Sequence, residues 1–319
     1  MQTDPFIHMS MALEIEEQSA HPAHKVGALI CGRDPSDQPY LIARANYWPP
    51  ILEEHIGRNV KLGNASTTVH AEIAAICAAP AVEGSDIYIT DLPCPNCAKA
   101  MAESRIKAVY IDSHTHNTPL GLKIKPYFDT VSLPILKHAG IAVYEMNTQI
   151  RELCALAAPP SQSKIYPVHR PVTQHPLSPN DVTAQNFLSL IEKEDVKHPF
   201  AACIAFTPLG SAFYLSARPH RSIGLSEKDA QNIISSQDKY TPILQPLNRL
   251  LLTCARYGLK INPDYLYSSQ CPTSREFVNI IGAGYTNLHV GNPDISRNEW
   301  GLKALKQLKT CGLIKIATS

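Results

Sequence analysis

The chain has 319 residues, of which 44% are hydrophobic and 18% charged, a balance that excludes a disordered polymer. Its 29 Lys and Arg residues against 28 Asp and Glu residues give a formal net charge of +1, without the basic excess that binding to a long polyanion requires. The length is sufficient for two domains, each with its own hydrophobic core.

The N-terminal segment carries acidic residues where a secretory signal would have a basic segment and an apolar run. No apolar run approaches the ~18 residues of a membrane span, so we expect no contact with a membrane. Nine cysteines without a secretory signal indicate a reducing compartment, where close cysteine pairs more often bind metal or do redox work than form disulfides. We expect the protein to be cytoplasmic.

Helix and strand patterns alternate along the first 147 residues. In chain order they are a helix at 6–18, strands at 25–31 and 40–46, a helix at 70–79, a strand at 86–90, a helix at 97–104, a strand at 108–112, a helix at 133–140 and a strand at 141–145. Turn residues between the first two strands indicate an antiparallel hairpin. Each later strand follows a helix, which is typical of parallel pairing. The pattern therefore predicts an α/β sandwich.

A proline-rich segment separates this region from the rest of the chain. Six prolines between residues 158 and 180 are incompatible with a helix or a central strand, so we predict a linker over 151–197. Beyond it, four segments resemble the first half in the same order: 214–220 resembles 40–46, 263–274 resembles 85–97, 287–294 stands where 108–115 stands, and 308–316 resembles 136–144. We infer an internal duplication with domains at 1–150 and 198–319.

Two short motifs carry the chemistry of the first half, His70-Ala71-Glu72 and Pro93-Cys94-Pro95-Asn96-Cys97. They fit the H-x-E and P-C-x-x-C pattern of zinc deaminases. A catalytic zinc ion takes three imidazole or thiolate ligands and keeps one position open, which predicts one zinc ion on His70, Cys94 and Cys97. The N-terminus of a helix at the cysteines would stabilise both thiolates.

Glu72 is the predicted acid and base. In the first turn of a helix, Glu72 and His70 can reach the same site, and the Glu72 carboxylate can move a proton from water to the ring nitrogen and the leaving ammonia. Taken alone, the cysteine pair also fits a redox dithiol or half of a structural zinc site. No second close cysteine pair is present to complete a four-cysteine site.

The segments TVHAEIAAI, ITDLPCPNCAKAM, HKVGALI and NYWPP resemble the cytidine deaminase superfamily, and within it the deoxycytidylate deaminase branch, over about residues 6–145. The resemblance implies a three-layer α/β/α fold with a five-stranded mixed sheet, a catalytic zinc ion and a free cytosine nucleotide or nucleoside as substrate. It also implies substrate contacts at Asn46 and Lys25, and we expect Ala71 and Pro93 to contribute. Some members bind a second zinc ion through a cysteine located between residues 46 and 69 here; only His55 is present, so we predict no such site.

The second half lacks the motif. Cys271-Pro272-Thr273-Ser274 stands where the cysteine motif stands in the first half, and no histidine occurs between 221 and 288. We therefore predict a catalytically inactive domain. Such a copy could replace a subunit of an oligomer, donate a loop over the active site of a partner, or bind an effector or another protein. Subunit replacement is the most economical of these uses, and for the whole chain we expect a homodimer.

Two other functions share these motifs. An enzyme that edits a flipped-out base in nucleic acid, such as the tRNA adenosine deaminases, would require a basic, aromatic-edged groove. The net charge of +1 argues against it, so we do not expect nucleic acid as a partner. A regulatory protein with a structural zinc ion would have no use for the Glu72 carboxylate.

Overall fold

Helices and strands alternate along the chain, as the spacing of the apolar residues predicts. The structure is a computed structural model that describes residues 4–158, 171–195, 197–233 and 239–317. The helices are α1 (Pro5–Glu16), α2 (Pro50–His55), α3 (Ala71–Ala78), α4 (Pro95–Glu103), α5 (Pro119–Tyr127), α6 (Leu133–His138), α7 (Ala184–Glu192), α8 (Glu227–Asn232), α9 (Pro246–Tyr257), α10 (Ser274–Gly282) and α11 (Glu299–Thr310). The strands are β1 (Gly27–Arg33), β2 (Pro39–Ala45), β3 (Lys61–Leu62), β4 (Ala65–Ser66), β5 (Asp86–Ile89), β6 (Ala108–Asp112), β7 (Ala142–Asn147), β8 (Glu152–Ala157), β9 (Thr173–Leu177), β10 (Ala201–Phe206), β11 (Ala212–Ala217), β12 (His220–Arg221), β13 (Ile243–Leu244), β14 (Lys260–Cys271), β15 (Asn287–Ser296) and β16 (Lys315–Ala317). None of the described helices is long and apolar enough to cross a membrane.

The first half, residues 4–158, contains a mixed sheet with the strand order β2-β1-β5-β6-β7-β8. β1 is antiparallel to β2 and to β5, whereas β5, β6 and β7 are parallel. The predicted hairpin and parallel strands are confirmed. The sheet has six strands rather than five, because the chain turns back after β7 at Arg151 (φ 54°) and pairs antiparallel with β7 as β8.

The sheet of the first half is covered on both faces. On one face, Leu29 and Tyr88 pack against Met9 and Ala12 of α1. The alternate side chains of β1 and β5 point to the opposite face and join the core formed with α3 and α4. α3 consists mostly of Ala and Ile, so it packs closely beneath β1 and β2. The expected three-layer α/β/α arrangement is confirmed.

The second half, residues 171–317, contains a sheet with the order β16-β15-β14-β10-β11-β9. Its strands from β16 to β11 have the same order and directions as β7-β6-β5-β1-β2 in the first half. α7 packs on one face and α9 on the other. The shared topology supports the internal repeat inferred from the sequence.

The segment 151–197 is more structured than the linker that its prolines predict. β8 completes the first sheet, and β9 and α7 belong to the second. Pro176 lies within β9, which tolerates it because an edge strand does not need every N–H for pairing. Pro179 begins a 3₁₀ turn. The first three prolines of the segment lie outside the described residues.

The two halves pack through their inner helices, with α3 and α4 against α9. Their apolar side chains form one continuous core across both halves. Within this contact, the guanidinium of Arg249 on α9 donates to the carboxylate of Glu103 on α4 at 2.9 Å, and both side chains are almost fully buried. Because the halves share a core, side chains of the second half can contribute directly to a site in the first.

Candidate active site

The two predicted motifs lie at the N-termini of α3 and α4. His70 and Cys94 are the N-cap residues, both with extended backbone, and Glu72 and Cys97 lie in the first turns that follow. Pro95 occupies the first helical position of α4, where its missing N–H leaves no hydrogen bond unmade. This placement brings together three potential metal ligands and one carboxylate, as the sequence predicts.

The ligand atoms of His70, Cys94 and Cys97 are spaced for one metal ion. The His70 Nδ1 lies 3.6 Å from the Cys94 Sγ and 3.3 Å from the Cys97 Sγ, and the two sulfurs are 3.7 Å apart. Tetrahedral zinc with ordinary bond lengths requires about 3.8 Å between two sulfurs and about 3.6 Å between sulfur and nitrogen. Among the described residues, this is the only group of three His, Cys, Asp or Glu side chains close enough to share an ion. The residues therefore fit zinc.

The local electrostatics favour a thiolate at this position. Burial would raise the pKa of Cys94, but the hydrogen bond from Cys97 and the charges of Lys239 and His70 lower it below its ordinary value. The N-terminal dipole of α4 acts in the same direction. Burial, followed by the nearby Cys94 charge, raises the pKa of Glu72 to about 7. A carboxyl group with a pKa near neutrality can both accept and donate a proton.

Two of the metal ligands, His70 and Cys94, line a cavity of about 230 Å³ together with Glu72. Its lining consists of His21, His24, Val26, Asn46, Ser66, Thr68, His70, Ala71, Glu72, Asp91, Leu92, Cys94, Leu120, Lys123, Ile124, Lys239 and Tyr240. Two of the four predicted substrate residues, Asn46 and Ala71, are in this lining. Lys25 and Pro93 are not: Lys25 pairs with the exposed Glu17 at 2.8 Å, and Pro93 is buried in the loop before Cys94.

Asn46 holds the wall of the cavity in place. Its amide oxygen accepts hydrogen bonds from the Ser19 hydroxyl at 2.7 Å and the Val26 N–H at 2.9 Å. Its amide nitrogen donates to the His24 carbonyl at 2.9 Å. These three bonds fix the segment that leads into β1. Contact between Asn46 and a sugar stays a prediction.

Sequence reasoning did not find the contribution of the second half to this cavity. Lys239 and Tyr240 line it, although they lie far from both motifs in the chain. Burial would lower the pKa of Lys239, but the Cys94 thiolate and Tyr240 raise it, so the ammonium group stays charged. No motif marks these two residues, because their position depends on how the halves pack.

The second half has corresponding helix starts without metal ligands. Gln245 and Leu247 in α9 occupy the positions of His70 and Glu72 in α3. In α10 the N-cap is Thr273, and Glu276 occupies the third helical position, which Cys97 holds in α4. The sequence comparison aligned Ser274 with Cys97. The structural counterpart is Glu276, because the N-cap of α10 is Thr273, two residues after Cys271, whereas Cys94 itself is the N-cap of α4.

This fold and this ligand set define the zinc-binding region of a deaminase. The family model for the cytidine and deoxycytidylate deaminase zinc-binding region matches residues 5–113. An uncharacterized deaminase in the luxG 3′ region of Aliivibrio fischeri is 38% identical over 136 residues, which are 42% of this chain and 86% of that protein. The chain belongs to the cytidine and deoxycytidylate deaminase family.

Two phage enzymes are also similar. The deoxycytidylate deaminases of Enterobacteria phages T2 and T4 are each 40% identical over 83 residues, which are 24% of this chain. The chain spans only 38% and 37% of their lengths. Among solved structures, the dCMP deaminase of cyanophage S-TIM5 in apo form has 20% identity and a TM-score of 0.31, covering 46% of this chain and 100% of that one.

Proposed function

We propose that the protein is a zinc-dependent hydrolytic deaminase of a free cytosine nucleotide or nucleoside. The observation that carries the proposal is the position of Glu72 in the cavity that His70 and Cys94 also line, with Cys97 in contact with both ligands. Deoxycytidylate deaminase is the name of both phage relatives, which supports a cytosine compound as substrate. The cavity volume of about 230 Å³ suits a small molecule.

In this mechanism, His70, Cys94 and Cys97 hold one zinc ion per chain. When bound, zinc would supply Lewis-acid polarisation of the attacking water. Glu72 accepts a proton from that water and delivers it to N3 of the ring as the water oxygen adds to C4. Glu72 then moves the proton of the new C4 hydroxyl to the amino group, so that the C4–N4 bond breaks, the C4 carbonyl forms and ammonia leaves. The pKa of Glu72 near 7 suits both directions of proton transfer. The Glu72 side chain is only 3% exposed, which limits the access of bulk water to this exchange.

We also propose that the second half is an inactive duplicate of the first. The shared strand order supports the duplication, and Gln245, Thr273 and Glu276 at the helix starts support the loss of the metal site. The first domain extends to β8 in this proposal, and the second begins at β9. The homodimer expected from the sequence stays a prediction.

Ammonia release from dCMP, deoxycytidine, cytidine, cytosine, guanine and adenosine tests the proposed activity. We expect turnover of cytosine compounds. Glu72→Gln should retain zinc and lose ~10²–10⁴-fold in kcat, because it removes the proton carrier and preserves side-chain volume. Glu227→Gln, an exposed change in the first turn of α8, is the matched control. Full activity of the Glu72→Gln enzyme would refute the mechanism, and salt-sensitive deamination of RNA without turnover of small molecules would replace the function.

A further inference from the structure

The segment that brings Lys239 and Tyr240 to the cavity is fixed by the catalytic half of the molecule. Lys99, on α4 and only 2% exposed, donates from its Nζ to the Thr241 carbonyl at 2.7 Å and to the Ile243 carbonyl at 3.4 Å. The helix that begins at Cys94 thus also positions residues next to Lys239.

Two further contacts define the orientation of the segment. The Tyr240 ring stacks on the ring of Tyr127 at the end of α5, with 4.5 Å between centroids and 29° between planes. On the other side, the Arg297 guanidinium donates to the Thr241 hydroxyl at 3.3 Å. Residues of both halves therefore fix this segment, and the Tyr240 side chain forms part of the cavity wall in a defined orientation.

The charges along the lining favour an anionic ligand. Lys123 and Lys239 are the lysines of the lining, and within the described part of the chain no carboxylate forms an ion pair with either. Of the two lining carboxyl groups, Glu72 lies beside the metal ligands, and Asp91 accepts hydrogen bonds from the Leu92 N–H and the Thr115 hydroxyl. Neither lining lysine is thus held in an ion pair by a described carboxylate, so both ammonium groups can bind an anionic ligand.

The metal site does not require the charge of Lys239. A divalent zinc ion with two thiolates and one neutral imidazole has no net charge. A half-buried ammonium group beside a neutral centre is stabilised by an additional anion, because removing it partly from water weakens its solvation.

We propose that the inactive half serves as the specificity element of the active site: Lys239 binds the phosphate of a cytosine nucleoside monophosphate, and Tyr240 forms the wall against which the nucleotide lies. The proposal rests on the proposed deaminase function. It selects the monophosphate over the nucleoside, a distinction that the His-Cys-Cys site does not make.

The test compares dCMP with deoxycytidine in the full-length zinc enzyme. Lys239→Met should raise the KM for dCMP by ~10–100-fold, which corresponds to the loss of one charge-assisted hydrogen bond. We expect its kcat for dCMP, its zinc content and both constants for deoxycytidine to stay within about threefold of the unmodified enzyme. Lys239→Arg should restore most of the dCMP affinity, because it retains the charge. Lys228→Met, at an exposed position of α8, is the control.

Three results would overturn this assignment. An unchanged KM for dCMP in an active Lys239→Met enzyme would show that the phosphate lies elsewhere. Equal losses of kcat on dCMP and deoxycytidine, or a loss of zinc, would show that Lys239 acts on the metal site. If the unmodified enzyme deaminates neither compound, the proposed function itself fails, and the specificity role fails with it.

Discussion

In each half of the molecule two helix N-termini meet, but the side chains located there differ. In the first half, the N-termini of α3 and α4 converge on His70, Cys94 and Cys97, which fit a zinc ion. In the second half, the N-termini of α9 and α10 converge on one carboxylate. The Oε1 of Glu276 accepts from the Leu247 N–H at 2.9 Å, and its Oε2 accepts from the Thr273 N–H at 2.9 Å.

This difference distinguishes the groups that stabilise two adjacent helix N-termini from the groups that the reaction requires. Two helix N-termini that meet place several unpaired N–H groups and two positive dipole ends together, so the fold requires negative charge there. Before a metal ion binds, the Cys94 thiolate, whose pKa is lowered, meets that need in the first half, and the Glu276 carboxylate meets it in the second. Glu276 is only 3% exposed and its oxygens are occupied by the protein, which leaves no position for a substrate or for water. The second half keeps the architecture without the open coordination position that catalysis requires.

We call the meeting point of the α3 and α4 N-termini the first junction and that of the α9 and α10 N-termini the second. The largest expected effect is the loss of metal from the first junction. Cys97→Ser should reduce zinc content from about one ion per chain to near zero and abolish turnover, because a hydroxyl is a poor substitute for a thiolate ligand. Coordination is worth on the order of 10 kcal/mol in small zinc domains, so stability should also fall strongly. Elemental analysis and thermal unfolding measure both effects.

The matched control is the same change at the second junction. Cys271 is buried, but it ends β14 and lies outside any ligand cluster of the described residues, so Cys271→Ser should leave zinc content unchanged. Loss of zinc in the Cys271→Ser protein would contradict the contrast between the halves, as would two zinc ions per chain in the unmodified protein.

The first junction could be predicted from the sequence because its geometry is local. An N-cap residue and the residue three positions later lie within one helical turn, so the spacing of Cys94 and Cys97 already places both sulfurs on one side. The same holds for His70 and Glu72. For this reason the sequence alone predicts that these four side chains lie together, and the structure has them together.

The features that the sequence does not predict depend on packing between segments that are distant in the chain. Lys239 reaches the cavity through packing between the halves, in which Lys99 of the other half bonds to the backbone carbonyl of Thr241. The sequence does not predict the role of Glu276. The Cys271-Pro272 pair is a stronger sequence signal than the start of a helix, and in the second half the helix α10 begins only after this pair. β8 and β9 extend the sheets at their edges, where proline and short apolar runs resemble a linker.

An intermediate effect should come from the buried ion pair between Glu103 on α4 and Arg249 on α9, which joins the two halves. Glu103→Gln leaves the guanidinium of Arg249 buried without its counter-charge, and such losses cost about 3–5 kcal/mol in free energy of unfolding. The ion pair of Glu83 with Arg256 also joins the halves but lies nearer the surface, so Glu83→Gln should cost about 0–1 kcal/mol. Chemical denaturation measures both. Equal small effects, or two separate unfolding transitions, would mean that the halves are energetically independent.

The smallest expected effect is at the second junction itself. Glu276→Gln removes the charge and one of the two acceptor oxygens that hold α9 and α10 together, which should cost about 1–3 kcal/mol in free energy of unfolding. Glu299→Gln, an exposed change in the first turn of α11, should cost no more than ~0.5 kcal/mol. Zinc content and kcat should be the same in both variants, because the bonds that Glu276 accepts from Leu247 and Thr273 stabilise the starts of α9 and α10 and involve no metal ligand of the first half. A loss of zinc or of turnover in the Glu276→Gln protein would show that the second junction supports the chemistry of the first and is more than its architectural counterpart.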